Sequence, residues 1–213
     1  MCPPTISTMR IERVEPSKHK KNRVLVFLEG GELLKITDNE LLRYDLHPGM
    51  ELTETLAAEL KQAAARSEMK ARGAQLTGSR MLSKKQVVEH LTRRGGDRAA
   101  AEDTANWLEE LGAVDESAYG GAIVRHYSAA GYGTGRIRQE LKRRGVPREL
   151  WEGLLSQLPP AEESVERFVQ SKCKGKQLDK EMLRKLSGTL QRRGFSWQEI
   201  GPVLRRLEDE IQE

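Results

Sequence analysis

The sequence predicts a mainly α-helical protein: three tandem three-helix repeats in an elongated, curved array, preceded by a small β-rich module of three strands. Three observations carry this reading. The pentapeptide Leu-x-Arg-Arg-Gly occurs three times, as Leu91 to Gly95, Leu141 to Gly145 and Leu190 to Gly194. Its closing glycines lie about fifty residues apart, a period typical of stacked helical units. Apolar positions coincide around those glycines: Val87, Ile137 and Leu186 before them, Ala101, Trp151 and Ile200 after them. Finally, residues 8 to 52 have the period-2 texture of strands, whereas no convincing strand follows Thr53.

Each element has a local cause. Met9 to Val14 alternates apolar and charged residues, as a half-buried strand does. Ser17 to Lys21 is a polar, lysine-rich loop. Arg23 to Leu28 and Leu33 to Ile36 are β-branched and aliphatic runs, and Gly30-Gly31 between them suits a tight hairpin turn. Thr37-Asp38-Asn39-Glu40 has capping-box spacing, so a short helix should follow and stop at Pro48-Gly49. This completes a module over 1–52.

The first repeat is expected over 53–112. Thr53 caps a helix carrying Leu56, Leu60 and Ala63/Ala64, which runs toward Gly73 or Gly78. Ser83 caps a second helix with Val87, Val88 and Leu91 inward, and Asp97 caps a third with Ala101, Ala105, Leu108 and Leu111. The second repeat should occupy 113–158 and the third 159–213. Leu141 and Leu190 match Leu91; Leu155 and Leu204 match Ala105; Leu158 and Leu207 match Leu108; Pro147 and Ser196 match the Asp97 helix start. Acidic residues after Gly112 and after Pro159-Pro160 begin helices over roughly 116–130 and 161–174, where the macrodipole favours them. Units this small are stabilised by stacking on their neighbours.

Composition narrows the function classes. With 32% charged and 5% aromatic residues, the chain can build several small aliphatic cores better than one large one. A net charge of +4 permits an anionic partner without demanding one. The two cysteines, Cys2 and Cys173, do not make a disulfide framework, and a reduced cytoplasm is the simpler setting. No apolar run reaches the ~20 residues of a membrane span, and the amino terminus lacks signal-peptide features. The protein is therefore expected to be soluble and cytoplasmic, with no membrane partner.

Gly131-x-Gly133-x-Gly135 follows a helix and lacks both the Lys-Ser/Thr of a phosphate loop and a βαβ frame, so a tight interhelical turn using glycine's freedom in φ is the better reading. The arginine pairs Arg93/Arg94, Arg143/Arg144 and Arg192/Arg193 admit two compatible roles. Cations at helix ends offset the dipole. Lined up by stacking, with Arg136, Arg138 and Lys142, they would form a basic stripe for phosphates or an acidic protein groove. Tyr132, between two glycines, is either a packing knob or an exposed anchor. After the turn, Arg148 to Leu155 mixes acidic and apolar residues, which argues against a base-reading helix. His19, His47, His90 and His126 are scattered and Cys173 stands alone. The sequence thus offers no catalytic set, no metal site and no cofactor site, and it is read as non-enzymatic.

Gly131-x-Gly133-x-x-Arg136-Ile137-Arg138-x-Glu140-Leu141-x-x-x-Gly145-Val146 resembles the central signature of the RecX family, regulators of the RecA recombinase. Leu111-Gly112-Ala113-Val114-Asp115 followed by Ala118-Tyr119 is similar to that family's approach to its second unit. Leu46-x-x-Gly49-Met50-x-Leu52, with the strands before it, resembles the extension of Gram-positive members. The sequence departs from the family pattern in an Ala-rich first unit and an extra glycine, Gly135. The resemblance implies binding to the RecA–DNA filament along its helical groove, with inhibition of strand exchange, ATP hydrolysis and co-protease activity in DNA repair, homologous recombination and the SOS response. An elongated modular body with repeated basic ridges, expected to be a monomer, could follow such a groove and touch successive protomers through several weak contacts. Tyr132, Arg136, Arg138, Lys142, Arg143 and Arg144, with Arg93, Arg94, Arg192 and Arg193, are the contact candidates. The alternative is direct binding of single- or double-stranded DNA through the same basic helical face.

Overall fold

The computed structural model describes residues 8–93, 95–173 and 179–212, with side chains through residue 209. Arg94, Cys2 and the expected helix end at Lys174 lie outside the described residues. The chain falls into two compact units, Met1–Ser79 with His90–Leu108 and Arg80–Glu89 with Glu109–Glu213.

In the first unit, β1 (Thr8–Pro16), β2 (Arg23–Leu28), β3 (Leu33–Thr37) and β4 (Glu51–Thr53) form an antiparallel sheet in the order β3-β2-β1-β4. Period-2 alternation holds: Val24, Val26 and Leu28 of β2 and Leu34 and Ile36 of β3 are all buried. The expected three strands are thus joined by a fourth. Three residues are too few to show an alternation, and only Leu52 of β4 enters the core. Gly30 and Gly31 take left-handed φ values of 90° and 84° in the hairpin turn, where a side chain would be strained. Helix α1 (Asp38–Arg43) starts at the expected capping box of Thr37 and Glu40.

Helix α2 (Glu54–Thr77) lays Ala57, Leu60 and Ala64 on the sheet's apolar face, completing one core. Its Thr53 cap accepts the Leu56 N–H at 3.1 Å. Helix α3 (Lys84–Thr92) contributes to both units, as does α4 (Arg98–Glu110), whose Asp97 cap accepts the Ala100 N–H at 2.9 Å. At Gly73 a methyl group would come within 2.9 Å of the Thr104 side chain, so glycine lets α2 and α4 cross closely.

The second unit continues with α5 (Glu116–Ala129), α6 (Thr134–Arg144), a 3-10 turn (Arg148–Leu150), α7 (Trp151–Leu155), α8 (Ala161–Cys173), α9 (Lys180–Arg192) and α10 (Trp197–Gln212). Apolar clusters among the described residues hold it. Tyr119, Ile123, Ile137, Leu141 and Leu154 form one; Val165, Phe168, Leu186, Leu190 and Ile200 form another. Cys173 packs against the latter. The helix expected after Pro147 is reduced to the 3-10 turn and the five residues of α7, because Pro159-Pro160 closes the segment soon afterwards. The column before the glycines is equivalent, with Leu91, Leu141 and Leu190 3%, 0% and 0% exposed, whereas after them Trp151, Leu155 and Leu158 are half-buried where Ala101, Ala105 and Leu108 are buried. Gly95, Gly145 and Gly194 all adopt left-handed φ, 79°, 80° and 92°, as helix-stopping glycines do.

Candidate partner-binding ridge

Helix α6 is the centre of the sequence-chosen set, and its position is fixed at both ends by backbone contacts with other repeats. At its start, the Gly133 N–H donates to the Arg193 carbonyl at 2.9 Å and the Gly135 N–H to the Gly194 carbonyl at 3.0 Å. A methyl group at Gly133 would sit 2.6 Å from the Gly194 oxygen, and one at Gly135 2.9 Å from it. Of the three turn glycines only Gly131 uses a left-handed φ, 75°. Gly133 and Gly135 serve instead to let two backbones meet, which corrects the expectation that conformational freedom explains the cluster.

The same joint recurs at the other end of α6. The Ser83 hydroxyl, twelve residues before Gly95 as Gly133 is before Gly145, donates to the Arg144 carbonyl at 2.6 Å. Gly145 lies against the Lys85 stem, and a methyl group there would meet its Cδ at 2.5 Å. The end of α9 therefore meets the start of α6, and the end of α6 meets the start of α3. Each Arg-Arg-Gly stop at these joints presents its last arginine's carbonyl to the cap of another repeat. Nothing lies within 4 Å of a methyl group placed at Gly95.

Side-chain electrostatics then sorts the candidates. Glu140 is buried, yet Arg136, Arg143 and Arg144 all converge on it, at 3.2, 2.7 and 3.4 Å. Burial opposes its ionisation, but hydrogen bonds from Arg143, Tyr127 and Arg144 outweigh that and hold the carboxyl below its ordinary value. Arg144 also approaches the Tyr119 hydroxyl at 3.4 Å. These arginines fasten α6 to its own core. The sequence already held the signal, an acid with bases at i−4, i+3 and i+4, although the reading above treated all the bases alike.

Arg193 is likewise engaged internally. It donates to the carbonyls of Ala130 and Gly131 at 2.8 and 3.1 Å. Its guanidinium stacks over Phe168 and Tyr132 at 4.9 and 5.0 Å. Tyr132 is half-buried and also packs 5.4 Å from the Tyr127 ring, so here it acts as a packing knob. Arg192 is exposed and donates to the Thr189 hydroxyl at 3.1 Å. Arg93 is exposed in the first unit.

Arg138 and Lys142 remain. Both are exposed on one face of α6, four residues apart, and neither has an ion-pair partner among the described residues. With Arg143, two-thirds exposed although tied to Glu140, they form the outward part of a ridge. In all, α6 carries five cations against one carboxylate. No group of three His, Cys, Asp or Glu side chains able to hold a metal occurs among the described residues, and none of their helices is long and apolar enough to cross a membrane.

A four-stranded module followed in sequence by helical repeats, with a basic face on α6, defines a helical-repeat fold. Residues 115–155 match the family model for the second three-helix domain of RecX. The regulatory protein RecX of Geobacillus kaustophilus is 27% identical over 85% of this chain and 70% of its own length. That of Oceanobacillus iheyensis is 26% identical over 93% and 77%. A crystal structure of a regulatory protein RecX superposes with a TM-score of 0.71 at 21% identity, covering 92% of this chain and 98% of the other. One from Lactobacillus salivarius gives 0.61 at 17% identity, covering 68% and 97%. Over most of its length, the chain is thus similar to regulatory proteins of the RecX family.

Proposed function

We propose that this protein is a non-enzymatic regulator that binds the RecA–DNA filament along its helical groove and lowers its ATP hydrolysis, strand exchange and co-protease activity. The observation that carries this reading is the unpaired Arg138–Lys142 face of α6, held rigid by the Glu140 cluster behind it and by joints at both ends. A preorganised cationic ridge loses little side-chain freedom on meeting an acidic surface. The repeats over 53–112, 113–158 and 159–213 act as successive contact modules of a monomer, with Arg93, Arg94 and Arg192 as peripheral contacts. The arginines on Glu140 and Arg193 position the ridge, while Arg138, Lys142 and the outer part of Arg143 touch the partner. The regulatory names of the relatives agree with this role.

Co-sedimentation with RecA assembled on single-stranded DNA tests it. The wild-type protein should pellet with filaments, and R138E/K142E should remain largely in the supernatant with an unchanged far-UV CD spectrum. Equal pelleting of the two proteins refutes the ridge assignment.

A further inference from the structure

The loop between β1 and β2 is the most concentrated charge outside the ridge, and the proposed function does not use it. Ser17-Lys18-His19-Lys20-Lys21-Asn22-Arg23 contains four lysines and arginines, no acid and no apolar side chain. It is a built turn. The Ser17 N–H donates to the Arg23 carbonyl at 2.7 Å, and Asn22 takes a left-handed φ of 58°, a conformation asparagine tolerates better than most residues.

The loop is also fastened to α2 by a single acid. Glu68 takes Lys20 at 2.8 Å, Arg23 at 2.6 Å and Arg72 at 2.8 Å. The Lys20 hydrogen bond, aided by Arg72 and Arg23, overcomes burial and pulls the Glu68 carboxyl to about 2. The clamp therefore persists at neutral pH. One carboxylate cannot neutralise three cations, so the hub keeps an excess of positive charge. Lys18 and Lys21 add two more exposed ammonium groups, and neither has an ion-pair partner among the described residues.

From this geometry we infer that the β1–β2 loop is a nucleic-acid contact that grips the sugar-phosphate backbone through Lys18 and Lys21, with Lys20, Arg23 and Arg72 as the charged base beneath them. Chemistry selects phosphate over an acidic protein. Protein interfaces are depleted in lysine and depend on aromatic or apolar anchors, and this loop has none. Lysine is a point charge suited to phosphate oxygens approached from many directions. Without stacking rings or an amide fork for base edges, the contact reads no sequence. The inference is independent of the filament-binding role of α6, and its test uses nucleic acid without recombinase.

The full chain and its K18Q/K21Q variant are titrated into a fluorescent 30-base-pair duplex and the matching single strand, by anisotropy, across a salt series. Both lysines are solvent-exposed, so the CD spectrum should not change. Loss of two phosphate contacts should flatten the log–log salt slope on duplex by about 1.8 and weaken low-salt binding by about tenfold or more, whatever the sequence. R138Q/K142Q should leave that slope nearly intact. An unaltered slope in K18Q/K21Q overturns the inference, as does a slope lost only in R138Q/K142Q. Polyglutamate displacing the duplex as well as unlabelled DNA does at equal charge also overturns it, because any polyanion would then suffice.

Discussion

Replacing Gly135 by alanine separates a joint between repeats from an ordinary helix start. In an isolated helix the change would be stabilising by about 0.5 kcal/mol, since alanine has the higher helix propensity. In this structure the new methyl group lies 2.9 Å from the Gly194 carbonyl oxygen, the acceptor of the Gly135 N–H at 3.0 Å. The neighbour is backbone and cannot rotate away. Overpacking costs about 1–3 kcal/mol, and stretching the hydrogen bond about 1 kcal/mol more. The net expectation is a loss of about 2 kcal/mol, a fall in Tm of about 4–8 °C for a chain of this size. Gly153→Ala is the control: it lies within α7 with nothing within 4 Å of the added methyl group, and it should raise stability by up to about 1 kcal/mol. Thermal unfolding followed by CD reads both. A G135A protein as stable as G153A would refute the joint.

Glu140→Ala strands Arg136, Arg143 and Arg144 around an empty site and should cost about 2–3 kcal/mol in urea unfolding, whereas R138A on the exposed side should change stability by less than about 0.5 kcal/mol. Glu68 has a carboxyl pulled down to about 2, so the stability it adds is present above the usual carboxylate range near pH 4.5 and is lost as pH falls toward about 2. With its side chain 30% exposed, screening limits that loss to about 1 kcal/mol, and E68Q should flatten the acid limb of a Tm–pH curve by this amount. Glu116 behaves oppositely. Burial, with the nearby charges of Glu109 and Asp115, raises its carboxyl above the ordinary value despite the hydrogen bond from the Lys84 N–H. Its ionised form therefore opposes folding as pH rises from the ordinary carboxylate range through that raised value, and E116Q should be more stable than wild type above that range.

Much of this was legible in the sequence because it is local. The capping residues Thr37, Thr53 and Asp97, the hairpin glycines Gly30 and Gly31, and the stops at Gly95, Gly145 and Gly194 follow from short-range backbone rules, and the structure places each as those rules require. The repeat columns were readable because buried leucines recur at fixed distances from the stops. What could not be read is non-local. Gly133 and Gly135 are glycines because Gly194 lies against them across some sixty residues of chain. Arg193 looks like a surface cation until the Ala130 and Gly131 carbonyls and the Phe168 and Tyr132 rings are brought around it. Strand β4 escaped notice because its three residues show no period, and its pairing with Thr8 to Arg10 comes from the other end of the module. The similarity of these arginines in sequence conceals a division of labour: Arg144 and Arg193 are built into the fold, whereas Arg138 and Arg192 face solvent.

That division makes a specific claim about function, and ATP hydrolysis by RecA filaments tests it most directly. Added wild-type protein should lower the hydrolysis rate in a dose-dependent manner. R138E/K142E, equally folded, should need at least about tenfold more protein for the same inhibition, since each lost charged contact is worth on the order of 1 kcal/mol. Inhibition by R138E/K142E at the wild-type dose would contradict the account, as would a wild-type protein that leaves the rate unchanged.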